Sequence, residues 1–392
     1  MIRIGFERLL YDEAYQGLVE GRAVGLLVNP TSVDTQLRHA VDLALEAGWN
    51  VVRLFGPEHG VRGEAQDMEA VDVASDPITG LPCVSLYGHD AESLRPNPAH
   101  LEGVDVLVID LQDIGARYYT YIYTAAFCAE VCGELGIDVV VCDRPNPLGG
   151  ELLEGNVVQE GLRSFVGAYP LATRHGMTFG ELMLWFERWG GLSCNMQVIP
   201  MEGWHRFMWY DDTLLPWVMP SPNMPTLDTA IVYPGQCLLE GTELSEGRGT
   251  TRPFELFGAP WLDAAALEAK LTQRALPGCL WRQTSFKPVH RKHAHAICRG
   301  LQLHITHRES FRSLTATLAV LQDIMTLHPE AFAWRTRAYE FVTDRLAIDL
   351  LLGDTSTREA LVRGEAVDAI VESMAGQRKE FEAQRQEVLL YD

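Results

Sequence analysis

The sequence lacks any run of about 18 uninterrupted apolar residues, the minimum a membrane-spanning helix requires, so no transmembrane segment is expected. Positive charge is scarce: 32 Lys+Arg stand against 53 Asp+Glu, a formal net charge of −21. A surface that negative repels phosphate backbones and anionic headgroups, which excludes a general nucleic-acid or membrane-surface binder. No GxSxG elbow occurs, which argues against an α/β-hydrolase nucleophile. No GxGxxG follows the first predicted strand, so the dinucleotide fingerprint is missing as well. The eight cysteines include no CxxC pair, and most have apolar neighbours, the pattern of buried thiols rather than of disulfides or a zinc site. Met1–Leu10 carries no apolar stretch behind a basic start. The expectation is a cytoplasmic protein, or an exported one if a leader precedes these residues.

What is present is an enzyme-sized chain of 392 residues, 47% hydrophobic and 22% charged, long enough for two domains sharing a cleft. The first 145 or so residues alternate short apolar runs, polar turns and helical periods, the pattern of a parallel sheet covered by helices. Strands are predicted at Ala23–Val28, Asn50–Phe55, Pro82–Tyr87, Val104–Ile109 and Asp138–Cys142. Between the first two, Leu37, Val41 and Ala44 share a helical face, with Asp34 or Thr35 as the cap and Gly48 at the C-terminal end. A second helix is predicted over Tyr119–Leu135, and Thr178 with Glu181 forms a capping box ahead of a helix at Phe179–Trp189.

Residues from Pro216 to Pro260 are rich in Pro and Gly, with one strand predicted near Ile231–Tyr233; a long irregular stretch of this kind is usually functional. Helices follow at Asp263–Gln273, Ser313–Leu327 and Ala331–Phe341, with an extended segment at Leu301–Thr306. The fold class is therefore α/β: a Rossmann-like, doubly wound, mainly parallel sheet over residues 1–260, and a smaller α/β auxiliary domain over 261–392.

Ligands of open parallel sheets bind beyond the carboxyl ends of the strands, and those positions are polar here. They read Asn29-Pro-Thr, Gly56-Pro-Glu58-His59-Gly60, Asp110-Leu-Gln-Asp113-Ile-Gly-Ala-Arg117-Tyr118-Tyr119 and Asp143-Arg144-Pro-Asn-Pro. A rim holding Glu58, Asp110, Asp113 and Asp143 is suited to acid–base work, although strand-end Asp and Asn also cap helices and turn chains. Glu58 stands apart because Gly56, Pro57 and Gly60 impose a tight turn that capping does not need. A second polar group runs through Asn223, Glu240, Glu246 and Arg248. An arginine among Glu and Thr suits a hydroxyl-rich ligand with one carboxylate; the alternative is a loop held by Arg248 ion pairs. The histidines of His290-Arg-Lys-His293-Ala-His295 sit beside two cations with no acidic ligand, which fits hydrogen-bonded or core histidine better than a metal site. Trp204, Trp209, Tyr210 and Trp217 either stack on sugar faces or pack a loop. Neither a metal nor an organic cofactor is expected.

Several long motifs in order carry a family resemblance. FGPEHG (Phe55–Gly60), LQDIGARYYTYIYT (Leu111–Thr124), DRPNPLGG (Asp143–Gly150), RHGMTFGEL (Arg174–Leu182), SPNMPT (Ser221–Thr226) and EGTELSEGRGTTRPFELFGAPW (Glu240–Trp261) resemble the exo-acting β-N-acetylmuramidases of the NamZ type. The likeness runs from about residue 20 to 305 and continues more loosely to the C-terminus. It implies removal of N-acetylmuramic acid from the non-reducing end of peptidoglycan fragments, hence a small saccharide as partner. Glycoside hydrolysis needs a protonated carboxyl and a second carboxylate or the substrate's own acetamido group. Glu58 is the candidate acid, with Glu246, Glu240 or Asp110 as its partner. Arg248, Arg144 or Arg117 would meet the lactyl carboxylate, Tyr118 and Tyr119 would orient the sugar or stabilise oxocarbenium charge, and Asn29, His59, Asp113, Asp143 and Asn223 complete the expected binding set. The alternatives are a glycosidase for another acidic amino sugar and a non-catalytic sugar-binding protein.

Overall fold

The computed structural model describes residues 2–63, 75–88 and 91–392. Its strands among these residues are β1 (Ala23–Val28), β2 (Asn50–Gly56), β3 (Cys83–Ser85), β4 (Val106–Asp110), β5 (Asp138–Cys142), β6 (Glu154–Val157), β7 (Ala172–Arg174), β8 (Met196–Ile199), β9 (Leu256–Ala259), β10 (Cys279–Phe286) and β11 (Cys298–Ile305). Six form one sheet in the order β3-β2-β1-β4-β5-β8. Every pairing in it is parallel. This is the doubly wound arrangement, and the order reverses between β1 and β4, where such sheets open a crevice.

Strand alternation explains why both faces are covered. Val24, Leu26, Val106, Val108, Val140 and Cys142 point to one side, where they pack against Phe6 and the helix Ala40–Glu46. Leu27, Leu107, Ile109, Val139 and Val141 point to the other, against the helices Tyr121–Leu135 and Phe179–Trp189. The capping box at Thr178 and Glu181 forms as expected. The nearly continuous apolar runs of the central strands β1, β4 and β5 are the signature of a sheet buried on both faces.

The second, smaller sheet is antiparallel, β10-β11-β9, and is covered by the helix Ala264–Arg274, against which the helix Ser313–Leu327 packs. One hydrophobic core runs through both halves, from Ile122 and Phe179 to Leu318 and Phe381. No helix of the described residues is long and apolar enough to cross a membrane.

Three predicted elements differ. The helix between β1 and β2 starts at Ala40, capped by the His39 ring, which accepts from Val41 N–H; Asp34 instead closes a turn by accepting from the Gln36 and Arg38 amides. Leu37, expected inside, is exposed. Ile231–Tyr233 is not a strand but part of the helix Leu227–Gln236, whose Thr226 cap accepts from Thr229 N–H. A short apolar run buried on all sides has no period to distinguish strand from helix. Finally, Ala331–Phe341 is not helical. Its backbone is satisfied across the chain instead, Glu243 N–H to Ala333 O and Arg335 N–H to Gly241 O, both at 2.9 Å. An amide needs one partner, and here the partner is a neighbouring segment rather than its own turn.

Candidate active site

Glu58 leaves the end of β2 on a one-residue step. Gly60 N–H closes onto Pro57 O at 2.9 Å, and both His59 (φ 74°) and Gly60 (φ 82°) are left-handed. Glycine takes that conformation without strain; histidine does not, and a strained non-glycine residue is the mark of an over-determined, functional turn. The Glu58 carboxylate accepts from Thr120 Oγ1 at 3.3 Å. Thr120 precedes the helix Tyr121–Leu135, so the carboxyl ends of β2 and β4 meet at this contact.

The facing wall comes from the second half of the chain. A short 3-10 turn, Cys237–Gly241, presents Glu240, whose Oε1 accepts from Arg248 at 2.7 and 3.2 Å and whose Oε2 accepts from Tyr339 at 2.7 Å. Arg248 also lies 3.7 Å from Glu246 and rests on the Phe254 ring at 5.1 Å. Glu246 is further paired to Lys292 at 2.9 Å. Burial pushes the Glu246 carboxyl up, but Lys292 and Arg248 together hold it below its usual value.

Glu340 enters the same cavity from the non-helical arm, with φ 44° at Glu340 and 67° at Phe341. It accepts from Tyr87 Oη at 3.1 Å. Burial, and then the nearby Glu58 and Glu240, push its carboxyl up to about 8. At neutral pH Glu340 therefore keeps its proton, while Glu240 is paired with the Arg248 guanidinium at 2.7 Å. Tyr118, Tyr119, Tyr121, Tyr233 and Phe254 make the rest of the wall as a chain of edge-on rings with centroids 4.8–6.1 Å apart. Asn223 lines it too, and its amide nitrogen is buried without a partner among the described residues, a donor aimed at a ligand. This inner cavity is narrow, about 50 Å³, and adjoins a roomier one of about 410 Å³; Glu240 and Arg248 line both.

Seven of the residues expected from the sequence meet here: Glu58, His59, Tyr118, Tyr119, Asn223, Glu240 and Arg248. Glu246 lines the adjoining cavity. Six others lie outside both linings. Asp110, fully buried, is bound by Arg144 through two bonds of 2.6 and 2.7 Å, and each neutralises the other. Arg117 is fully buried and donates to the carbonyls of Asn156, Leu171, Leu351 and Leu352, tying the sheet to the C-terminal helices. Asp143 accepts from Arg144 N–H, Gly180 N–H, Thr178 Oγ1 and Tyr391 Oη. Burial pushes its carboxyl up to about 7. Asp113 accepts from Gly115 N–H at 2.6 Å and stands 3.2 Å from His175 Nε2. Asn29 accepts from Thr31 N–H.

The tryptophans also take the packing role. Trp204 meets Tyr391, Trp209 carries Arg174 and Arg308 on its ring, and none lines the cavity. Of the three clustered histidines, His293 Nε2 is 2.9 Å from Glu243 O, and His295 is exposed rather than part of a core. Sequence reasoning missed Glu340, Tyr339 and Tyr87. A helix predicted over Ala331–Phe341 hid the first two, and no motif flags an isolated Tyr-Glu pair.

The arrangement sets one protonated carboxyl and one arginine-neutralised carboxylate around Glu58, walled by phenols and rings. That combination serves proton transfer to a leaving oxygen while an adjacent anion stabilises developing positive charge.

Comparison with known proteins agrees with this chemistry. Residues 24–228 match the model described as exo-β-N-acetylmuramidase NamZ, N-terminal, and residues 231–391 match its C-terminal counterpart. The chain is similar to the peptidoglycan β-N-acetylmuramidase NamZ of Bacillus subtilis (strain 168), 41% identical over 391 residues, covering 100% of this chain and 91% of the relative. Among solved structures it resembles a DUF1343 family protein from Bacteroides fragilis NCTC 9343 with a TM-score of 0.87 and 35% identity. A second DUF1343 protein from that organism gives 0.76 and 28%. Each alignment covers 100% of this chain and 99% of the other.

Proposed function

The chain belongs to the NamZ family of exo-β-N-acetylmuramidases, and from that premise we propose how its own residues carry the reaction. It is a glycoside hydrolase that removes N-acetylmuramic acid from peptidoglycan fragments, cutting the β-1,4 bond behind a non-reducing terminal sugar. Glu58 is the proton donor: it sits at the tip of a strained turn and reaches into the cavity beside Thr120. Its proton passes to the glycosidic oxygen as the C1–O bond breaks and the bonding pair leaves with the aglycone. Water then supplies the hydroxyl at C1, and its remaining proton restores the Glu58 carboxyl.

The observation that carries this reading is the grouping of three carboxyls in one cavity, one of them paired with an arginine. Glu240 is salt-bridged to Arg248, and Glu340 is held protonated by burial and by its acidic neighbours. The positive charge that develops on the sugar ring therefore faces an anion, and Glu58 works beside a neighbour that adds no second negative charge at neutral pH. The ring wall from Tyr118 to Phe254 supplies apolar contact for a sugar face, and Asn223 supplies a donor.

The test uses chromogenic β-glycosides of N-acetylmuramic acid and of N-acetylglucosamine side by side. Release from the muramic compound is expected, with little from the glucosamine one. Turnover of the glucosamine compound alone overturns the substrate assignment, and turnover of neither overturns the enzymatic one.

A further inference from the structure

The roomier cavity beside the catalytic one is built from a motif that the reaction above leaves unused. The segment His290-Arg-Lys-His-Ala-His295 holds three non-glycine residues in the left-handed region, Arg291 (φ 65°), His293 (φ 55°) and His295 (φ 65°). Such a conformation persists only where its surroundings enforce it. Lys292 enforces it: its ammonium donates to the carbonyls of Leu239 and Leu244 at 2.9 and 3.0 Å and pairs with Glu246. Anchored in this way, the segment sets Arg291 on the cavity lining. Arg335 and Arg337 face it from the arm that also carries Glu340.

In a chain of net charge −21, this cavity is lined by five cationic side chains and only three carboxylates. Arg335 Nε is buried and has no partner among the described residues, a donor left for a ligand. The other arginines expected to meet an acidic sugar are committed: Arg117 to four carbonyls, Arg144 to Asp110, and Arg248 to Glu240. The inner cavity, about 50 Å³, is far below the ~300 Å³ at which small-molecule pockets begin, so a substituted hexosamine must extend into its neighbour.

We infer that this side cavity binds a carboxylate of the substrate, and that the group it takes is the lactyl carboxylate of the sugar itself, received by Arg335 and Arg291. The inference rests on the muramidase reading and names the feature that separates muramic acid from glucosamine. A substrate peptide joined to the lactyl group would bring carboxylates of the same chemistry to the same place, so the experiment distinguishes the two sources.

Calorimetric binding to the full chain separates the claims because it does not depend on turnover. The probes are free N-acetylmuramic acid, its uncharged lactyl amide, and N-acetylmuramoyl-L-alanyl-D-isoglutamine. The acid is expected to bind about 10-fold tighter than the amide, the scale of one charged hydrogen bond. Arg335→Gln and Arg291→Gln should each erase that preference without weakening the amide. Because Arg335 also rests on Tyr339 at 5.1 Å, the exposed Arg291→Gln serves as the variant that leaves the arm undisturbed.

Equal binding of acid and amide overturns the inference, as does a variant that weakens both alike. Tighter binding of the peptide-bearing probe than of the bare acid, lost in Arg291→Gln, overturns the lactyl assignment in favour of the peptide. If the acid is preferred but no glycoside is cleaved, the muramidase reading fails and this inference stands; if glycosides are cleaved while acid and amide bind alike, the reverse holds.

Discussion

Two sets of charged residues in this molecule look alike in sequence and end in opposite roles. At the carboxyl ends of β4 and β5, Asp110, Arg117, Asp143 and Arg144 are buried and bonded to one another, to backbone or to neighbouring side chains. Around the cavity, Glu58, Glu240, Glu340 and Arg248 are equally polar but share a space with room left for something else. The first set holds the halves of the protein together. The second is left with the chemistry. What separates them is whether the charged groups are closed off inside the protein or border an open cavity: a buried ion pair sealed from solvent has nothing to offer a substrate.

The sharpest way to break this contrast is Glu58→Gln. The amide keeps the size and the acceptor for Thr120 but cannot deliver a proton, so turnover on the muramic glycoside should fall by about 10²–10⁴-fold. The melting temperature should stay where it is. Near-normal turnover would remove Glu58 from the mechanism and move it into the holding set.

The converse variant is Arg144→Ala. It leaves Asp110 as an uncompensated buried charge, a loss of about 3–5 kcal/mol on the usual scale for breaking such a pair. Denaturant titration should show that loss, and the kcat of the protein that remains folded should change little. A variant that melts normally but loses activity would place Arg144 at the substrate after all.

How much of this was legible in the sequence follows from the same distinction. The parallel sheet was readable because its strands are apolar on both faces and punctuated by turns; Ala23–Val28 and Asp138–Cys142 match to the residue. Glu58 was readable because Gly56, Pro57 and Gly60 describe a turn with one purpose. Asp110, Arg117 and Arg144 misled because residue type and strand-end position are the same for a holding pair and a working one, and only three-dimensional pairing tells them apart. Glu340 was hidden for a different reason. Its arm takes its backbone partners from Gly241 and Glu243, about a hundred residues earlier, and local sequence carries no trace of a bond made at that separation.

The smallest expected effect sharpens the comparison most, because it sets one raised carboxyl of each set side by side. Burial pushes Glu340 up to about 8 and Asp143 up to about 7. A carboxyl that keeps its proton longer in the folded than in the unfolded chain makes stability fall as pH rises between the two values. For Asp143 that window runs from its ordinary 3.8 to about 7, and for Glu340 from 4.5 to about 8. Both groups should therefore appear in the dependence of unfolding free energy on pH, and Asp143→Asn or Glu340→Gln should each flatten its own window. Only Glu340 should also appear in kcat/KM. Above about 8 its ionisation puts a further negative charge beside Glu58 and Glu240, where wild-type turnover should decline; Glu340→Gln, a mimic of the protonated form, should retain activity within several-fold and lose that alkaline limb. Asp143→Asn should leave the rate profile unchanged and cost about 1 kcal/mol, the net worth of a hydrogen bond, because its four partners come from the protein alone. A rate profile that moves with Asp143, or one that ignores Glu340, would show that burial with complete internal pairing does not divide holding residues from working ones.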